Sequence, residues 1–317
     1  IGSEGEAVMK KKTSLDRKLD KIRAAEESGK LGTKLTNRTL RKLTANKLAV
    51  TGVILFVAIC VLCFGAPLFT SYEPSAFDLR ARMSPPSAEH IMGTDQMGRD
   101  IWTRILYGGR VSIIVGLGSA LGAAVLGVTL GLYVGYKGGI LDSIIIKISD
   151  IFQSIPQMVL IIIIVALIGQ SMENLIVIFI ITGWPGMYRM TRSKVLSLKE
   201  QEFVQALRAF GISDAKIAFK HLLPNAVGPV VVNITLSTAM FILQEASLSV
   251  LGYGVPQEIS TWGNIINVIT NAGTIRFDWL EYWWMWLPCA VMLILFVLAI
   301  NFIGDGLRDA SDPTQIG

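Results

Sequence analysis

A pair of cysteines is the first arrangement in the sequence whose spacing could support chemistry. Cys60 and Cys63 form a Cys-x-x-Cys pair, which in other settings binds zinc or exchanges disulfides. Here both lie inside an uncharged apolar run, with no histidine or second cysteine pair nearby, and Cys289 lies in another apolar run. Thiols in such surroundings usually serve as small packing groups. We therefore expect packing at these residues and no metal or redox centre.

Recognisable residue sets for nucleotide binding or catalysis are missing from the sequence. No glycine-rich loop ends in Gly-Lys-Ser/Thr, so we expect no P-loop in this chain. There is no His-Glu-x-x-His zinc motif, and the only histidines, His90 and His221, fall in different predicted loops. The apolar runs also lack a serine–histidine, paired-aspartate or zinc set for hydrolysis within a membrane. We therefore expect a protein that is not an enzyme and holds no cofactor of its own.

Ionisable side chains within the apolar runs would mark an ion or proton pathway, and they are few. Glu245, with the nearby Ser247, is the best candidate for a translocation pathway. A rival role for Glu245 is a hydrogen bond that holds its helix to a neighbour. Lys147 and Asp150 are three residues apart and could pair on one helix face. Because a transporter driven by an ion gradient usually needs more than this, we expect a partner to supply the energy.

The most informative local pattern is a helix–turn–helix with exposed apolar side chains. We predict a helix over Glu202–Phe210, ended by Gly211. A second short helix follows, capped by Ser213 or Asp214 and ended by Pro224. The apolar side chains of the two helices are Phe203, Ala206, Leu207, Phe210, Ile217, Ala218 and Phe219. Either a groove on a partner protein or the chain's own helices must cover them, and the residues leave both open.

The segments that carry these residues have the composition of membrane-spanning helices. Hydrophobic residues make up 52% of the 317 residues and charged residues only 17%, against about 25% in a typical soluble domain. Leu48–Phe69, Val111–Tyr136 and Trp283–Ile303 contain 22, 26 and 21 residues without a charge. About 20 such residues cross a bilayer as a helix. The composition excludes a soluble globular enzyme and a disulfide-stapled secreted domain, and it disfavours a transmembrane barrel.

We predict an all-α integral membrane protein with six transmembrane helices. The six spans are Leu48–Phe69, Val111–Tyr136, a third within Ile144–Gly169, Asn174–Tyr188 with a bent end at Trp184-Pro185-Gly186, Ala226–Leu251, and Trp283–Ile303. The second span carries the GxxxG pairs Gly118/Gly122, Gly127/Gly131 and Gly131/Gly135. Because small residues let helix backbones approach closely, we expect this span to pack tightly against another helix.

The distribution of basic residues predicts the orientation. The connecting segments on one side hold 23 Lys/Arg and those on the other hold 6, so the first side should be the cytoplasm and contain both termini. The predicted organisation is a basic cytoplasmic tail over 1–47, a first transmembrane helix over 48–70, an extracytoplasmic segment over 71–110, five transmembrane helices over 111–306, and a cytoplasmic C-terminal tail over 307–317. We expect the basic tail to contact membrane lipid and not nucleic acid.

The helix–turn–helix resembles the EAA loop of the membrane subunits of ABC importers. That pattern is Glu-Ala-Ala, three residues, Gly, nine residues, an apolar residue, one residue, then Leu-Pro. This chain has Gln205-Ala206-Leu207, Gly211, His221 and Leu223-Pro224 at the same spacing, with Gln205 in place of the acid. The resemblance implies that the loop, residues 199–225, couples the chain to an ATPase. The residues implied in coupling are Gln205, Ala206, Phe210, Gly211, Ile212, Asp214, Leu223 and Pro224.

Two further stretches resemble the C-type subunits of the dipeptide, oligopeptide and nickel branch of that family. Gly93–Asp100, continued by Gly109–Ser112, is similar to their GTDxxGRD segment. Glu245–Gly254, followed by Thr261–Gly263, resembles their EAxLSFLGLG and SWG stretches. Together the resemblance covers roughly residues 40–315.

The resemblance implies a permease subunit of an ATP-driven importer, for di- or oligopeptides, in the bacterial cytoplasmic membrane. The implied partners are a homologous B-type permease subunit, two P-loop ATPase subunits that bind ATP and Mg, and an extracytoplasmic substrate-binding protein. Nickel, haem and glutathione are alternative substrates, although two histidines and no exposed Met or Cys grouping speak against nickel. A self-contained secondary transporter is the alternative from a different class, and an intramembrane enzyme is a third.

Overall fold

The computed structural model describes residues 43–267 and 280–311, and within these ranges the secondary structure is helical without a β-strand. Most of the predicted tail over 1–47 and the last residues of the chain lie outside the described ranges. The helices are α1 Lys47–Phe64, α2 Ala66–Phe69, α3 Ile101–Lys137, α4 Gly139–Ser154, α5 Gln157–Ile168, α6 Met172–Lys199, α7 Glu202–Ala209, α8 Asp214–Val250, α9 Trp262–Ile266 and α10 Leu287–Ser311.

Four of these helices, α1, α3, α8 and α10, are long and apolar enough to cross a membrane. The pair α4 and α5 would make a fifth span if it is counted as one, but its two helices are bent by 90°. The third span predicted within Ile144–Gly169 therefore falls on a bent pair of helices, and six spans stay a prediction. The bend lies at Ile155 and Pro156, because proline lacks an N–H and forces the preceding residue into an extended conformation.

A second proline, Pro185, does not end the helix in which it lies. The helix α6 continues through Pro185 to Lys199, so it does not end near Tyr188 as the predicted span Asn174–Tyr188 does. Proline removes one backbone hydrogen bond, and close packing against neighbouring helices can hold the rest of the helix together. The helix α6 is not among the helices apolar enough to count as a span, because its apolar part is followed by Gly, Pro and then Arg189 and Arg192.

The tight packing predicted for the second span is confirmed, and its partner is α6. A Cβ placed on Gly127 would lie 2.6 Å from the carbonyl oxygen of Trp184. One on Gly131 would lie 2.7 Å from the Cβ of Thr191 and 2.9 Å from the carbonyl oxygen of Tyr188. The glycines thus allow the two backbones to touch along their length. Gly118 is the exception, because nothing lies within 4 Å of its missing Cβ.

Polar side chains then attach α4 to α6. Arg192 donates two hydrogen bonds to the carboxylate of Asp142, at 2.7 and 2.6 Å, and the hydroxyl of Tyr188 donates a third at 3.0 Å. One turn earlier on α6, Arg189 forms an ion pair with Asp150. The predicted pair between Lys147 and Asp150 is therefore replaced by a pair between helices.

The rest of the bundle packs around α3 and α8. The helices α1, α3, α8 and α10 meet in one apolar cluster around the indole of Trp262, which lies 5.3 Å from the ring of Phe296. The short helix α9 places Trp262 there, and its indole N–H donates to the carbonyl of Ile105 at 3.0 Å. A separate apolar cluster lies at the other end of α3, against the 199–225 loop.

Candidate functional site

The turn of the 199–225 loop is a Schellman motif, which is a common way of ending a helix with glycine. The helix α7 ends at Phe210, and Gly211 follows with φ +71°. The N–H of Gly211 donates to the carbonyl of Arg208 at 2.9 Å, and the N–H of Ile212 donates to that of Leu207 at 3.2 Å. No atom crowds the missing Cβ of Gly211, so the positive φ alone accounts for the glycine.

One face of α7 is fixed to the bundle. Val204 is fully buried and packs with Leu207 and Ile212 in the cluster at the end of α3. The guanidinium of Arg208 donates to the hydroxyl of Tyr136 at 2.7 Å and lies 4.8 Å from the centre of its ring. Tyr136 itself is buried on α3. The loop therefore has a defined position relative to α3.

The opposite face of α7 is apolar and exposed. Phe210 is 83% exposed, and Phe203 and Phe219 are about 40% exposed. The predicted apolar face, Phe203, Ala206, Leu207 and Phe210, is thus divided, because Leu207 turns inward beside the unpredicted Val204. The two covers left open by the sequence apply to different faces: the bundle covers one, and no part of the chain within residues 43–267 and 280–311 covers the other. Gln205, Ala206, Gly211 and Asp214 are exposed and Ile212 is partly buried.

The second helix does not end at Pro224 as predicted. Ser213 occupies its cap position without a side-chain capping bond, and the helix runs from Asp214 to Val250. Residues Ile217–Leu222 form a π-helical stretch, in which the N–H of Leu223 donates to the carbonyl of Ala218, five residues earlier. Pro224 follows directly, where the wider turn accommodates its missing N–H. The second half of the loop, from Asp214 onward, is therefore part of the long α8.

Glu245 makes hydrogen bonds that hold its helix to neighbouring helices, which is the alternative role considered above for this residue. Its side chain is fully buried and accepts hydrogen bonds from Ser249 at 2.9 Å and Ser112 at 3.2 Å. Ser112 in turn accepts from the backbone N–H of Trp262 at 3.1 Å. The carboxyl group thus joins α8 to α3 and α9. Ser247 is exposed, and its hydroxyl donates to the carbonyl of Leu243 on its own helix at 2.8 Å.

The Gly93–Asp100 stretch folds around two aspartates. Asp95 accepts from the backbone N–H of Arg99 at 2.9 Å and from its side chain at 2.7 Å, and it also pairs with the buried Arg104. Asp100 caps α3 by accepting from the backbone N–H of Thr103 at 2.8 Å, and it bonds His90 at 3.0 Å. Of the two aspartates, Asp95 is the one that pairs with Arg99. This stretch is a rigid cap on the start of α3.

A cleft that the sequence analysis missed lies at the bend between α4 and α5. It has a volume of about 320 Å³ and lies between α4, α5, α6 and α8. Its lining is neutral and consists of Gln153, Gln157, Thr182, Gly183, Pro185, Gly186, Ser237, Met240, Phe241 and Gln244. We call it the glutamine cleft. Gln153 and Gln157 on either side of Pro156, together with the helix-interrupting Pro185, were the available signal, because helices interrupted by proline or glycine often line substrate sites.

The cysteines match the expectation of packing groups. Cys60, Cys63 and Cys289 are free thiols, and the last two are buried. Within residues 43–267 and 280–311, no group of three or more His, Cys, Asp or Glu side chains is placed to hold a metal ion.

The chain is similar to known membrane proteins along most of its length. Residues 127–316 match the family described as binding-protein-dependent transport system inner membrane component. Residues 34–86 match the N-terminal transmembrane domain of oligopeptide transport permease C. The dipeptide transport system permease protein DppC of Alkalihalophilus pseudofirmus is 40% identical over 86% of this chain and 88% of that protein. The oligopeptide transport system permease protein OppC of Bacillus subtilis is 36% identical over 91% of this chain and 93% of that protein.

The fold also has a counterpart among solved structures. An inward-facing form of the MetNI methionine ABC transporter superposes with a TM-score of 0.52, covering 65% of this chain and 95% of the matched chain. At 23% identity, this likeness establishes a shared fold and nothing about substrate.

Proposed function

This chain belongs to the family of binding-protein-dependent transport system inner membrane components and is a C-type permease subunit of an ABC importer, and we propose that it forms half of the pathway that carries di- or oligopeptides into a bacterial cell. The other half is a homologous B-type permease subunit. Two cytoplasmic ATPase subunits bind ATP and Mg, and an extracytoplasmic binding protein delivers the peptide. The chain is a multi-pass membrane protein of the cytoplasmic membrane.

The exposed face of α7 is the observation that carries the coupling role. Phe210 is 83% exposed at the tip of a loop whose other face is fixed by Val204 and by the bond from Arg208 to Tyr136. A large apolar side chain held outward on a rigid support is suited to fill a groove on another protein. We propose that Gln205, Ala206, Phe210, Gly211, Ile212 and Asp214 form this contact with an ATPase subunit.

The continuous helix from Asp214 to Val250 supports the second half of the coupling role. Leu223 and Pro224 lie in its first turns after the π-helical stretch, so motion imposed on the loop is transmitted to the membrane part of α8. ATP binding closes the ATPase pair and draws the two coupling loops together. The resulting change between two packings of the bundle turns the pathway from inward-open to outward-open.

Purification of the chain from its native membrane in mild detergent tests both proposals. We expect a second permease subunit and P-loop ATPases to be recovered in stoichiometric amounts. Phe210→Ala should reduce the recovery of ATPase at least tenfold, as loss of an apolar anchor at an interface does, while the B-type permease is still recovered. A matched control is Phe56→Ala, which removes an aromatic side chain that packs on Phe296 far from the loop in sequence. Recovery of a homo-oligomer without ATPase would reject the importer assignment of partners.

A further inference from the structure

We propose that Gln153, Gln157 and Gln244 form a hydrogen-bonding site for the backbone amides of a peptide in transit, at the bend between α4 and α5. This inference rests on the proposed peptide-import function and deepens it, because it assigns the glutamine cleft to the substrate. The cleft is lined by all three glutamines, and its volume of about 320 Å³ falls at the small end of the range of about 300–1,000 Å³ for ligand sites.

The hydrogen bonding of the three glutamines is incomplete. The amide nitrogen of Gln244 donates to the side-chain oxygen of Gln157 at 3.0 Å, which joins α8 to α5. The side-chain oxygen of Gln244 is buried and accepts no hydrogen bond within the part of the chain that the structure describes. Gln153 is exposed, and its amide nitrogen makes one long contact, 3.4 Å, to the hydroxyl of Ser149, so the buried oxygen of Gln244 carries this argument. Buried amide groups normally find partners, so the free oxygen of Gln244 points to a missing one.

The backbone around the cleft is also interrupted. Gln157 is the first residue of α5, directly after Pro156, so the N–H groups of its first turn lack partners within the helix. On the facing helix, Pro185 has no N–H to donate to the carbonyl of Ile181. Broken helices that leave backbone groups free inside a bundle are typical of substrate sites in transporters.

Ring stacking and a glycine shape the aromatic wall of the cleft. The ring of Phe241 stacks on Phe179 with their centres 5.1 Å apart. A Cβ on Gly183 would lie 2.5 Å from the Cζ of Phe241, so the glycine makes room for this ring. The ring of Phe241 and the amide groups of the glutamines therefore line the same preformed space.

The chemistry of the lining fits peptides as a class. A glutamine side chain carries one acceptor and two donors of the same kind as a peptide unit, so it can bind the backbone that all peptides share. The lining contains no charged side chain, so it attracts neither acidic nor basic peptides selectively. Neutral hydrogen bonds are also weak enough to release a substrate that must move on.

Uptake of two radiolabelled peptides by whole cells tests the site. Ala-Lys-Ala and Ala-Glu-Ala differ in charge, and cells that carry the wild-type chain with its own partner subunits define the reference ratio of their uptake. We expect Gln157→Glu to shift this ratio about tenfold toward the lysine peptide, because a new carboxylate would lie within a few ångströms of the passing side chain. Gln157→Lys should shift it in the opposite direction.

Gln170→Glu and Gln170→Lys are matched controls, because Gln170 lies outside the cleft and bonds the carbonyl of Gly252. Both should leave the ratio unchanged. An unchanged ratio in both Gln157 variants, with uptake retained, would overturn the glutamine site and leave the peptide permease intact. Uptake of both peptides that persists when the chain is deleted would overturn the proposed function and the site with it.

A second measurement applies if the Gln157 variants do not accumulate in the membrane. Ser237→Cys places a thiol in the cleft of a chain whose three native cysteines are changed to alanine. We expect a methanethiosulfonate reagent to modify it in the assembled transporter, and saturating tri-alanine with the binding protein and ATP to slow the modification severalfold. Modification at the same rate with and without the peptide would overturn the site.

Discussion

Gly211 determines the shape of the coupling loop through its backbone. Its φ of +71° lies in the left-handed region, which β-branched residues avoid and asparagine tolerates. Its missing Cβ faces open space, so a side chain at this position meets no steric obstacle of its own. Substitutions at Gly211 can therefore test the backbone conformation without introducing a steric clash of the new side chain.

We expect Gly211→Val to uncouple ATP hydrolysis from transport while the chain still inserts into the membrane. Gly211→Asn adds a side chain of similar size but can keep the Schellman turn, so it should retain most of the coupling. The measurement is peptide-stimulated ATP hydrolysis and peptide uptake by the reconstituted complex. Equal activity of the two variants would contradict a role for the positive φ.

The buried charges around Asp95 lead to a second prediction at the residue scale. Asp95 pairs with Arg99 and with Arg104, whose side chain is only 1% exposed. Asp95→Asn would leave the buried guanidinium of Arg104 without its carboxylate, which typically costs about 3–5 kcal/mol. We expect a clear fall in the thermal unfolding temperature of the detergent-solubilised chain. Glu73→Gln removes the same charge from an exposed position of the same segment and should leave that temperature unchanged.

At the scale of elements, the seam between α3 and α6 depends on glycine for contact. The close approach at Gly131 leaves no space for a methyl group, whereas Gly118 on the same helix has nothing within 4 Å. The sequence pattern alone did not separate the two, because each belongs to a GxxxG pair. The difference arises from the path of α6, which the sequence does not state.

We expect Gly131→Ala to destabilise the bundle by about 1–3 kcal/mol, as overpacking of a tight interface does. Gly118→Ala should be neutral or slightly stabilising, because alanine favours a helix over glycine. Thermal unfolding of the two purified chains, measured in the same detergent, provides the comparison. A similar loss in both variants would show that glycine matters for helix flexibility and not for contact.

At the scale of the whole molecule, the bent pair α4 and α5 decides the topology. If the pair crosses the membrane and α6 crosses after it, the chain has six spans and both termini are cytoplasmic. If the pair enters and leaves on one side, every later segment changes sides. The coupling loop and its flanks, residues 189–225, hold seven Lys/Arg, which favours the first arrangement.

Reporter fusions can separate the two arrangements. We expect a green fluorescent protein fused to the C-terminus to fluoresce and an alkaline phosphatase fused there to be inactive. Phosphatase fused after residue 90 should be active in both arrangements and serves as the control. Active phosphatase at the C-terminus would contradict six spans.

Much of this architecture could be predicted from the sequence, and the failures have a common cause. Charge-free runs locate α1, α3 and α10, and a run with the single charge of Glu245 locates α8, because the cost of burying charge in lipid is a property of each segment alone. Three prolines had different outcomes: Pro156 bends the chain, whereas Pro185 and Pro224 remain inside continuous helices. Their outcomes depend on what the neighbouring helices can satisfy, so a local pattern could not distinguish them.

The candidate site was also predicted only in part from the sequence. The spacing around Gly211 identified the loop and its turn, but it grouped Leu207 with Phe203 and Phe210 on one face and overlooked Val204. Which face of α7 packs inward depends on the position of Tyr136, 68 residues before Val204 in the chain. The glutamine cleft was missed for the same reason, because its members come from four helices.

The helix that begins at Asp214 also contains Gln244, thirty residues further on. At a rise of about 1.5 Å per residue, the two lie about 45 Å apart along a single axis. If the loop contacts an ATPase subunit as proposed, such a helix acts as a lever, in which a small tilt at the ATPase end becomes a displacement of several ångströms at the cleft. The π-helical stretch Ile217–Leu222 lies close to the ATPase end, so most of the lever arm is on the membrane side of this irregularity. Under the proposed coupling, the length of this one helix sets the size of the movement at the cleft.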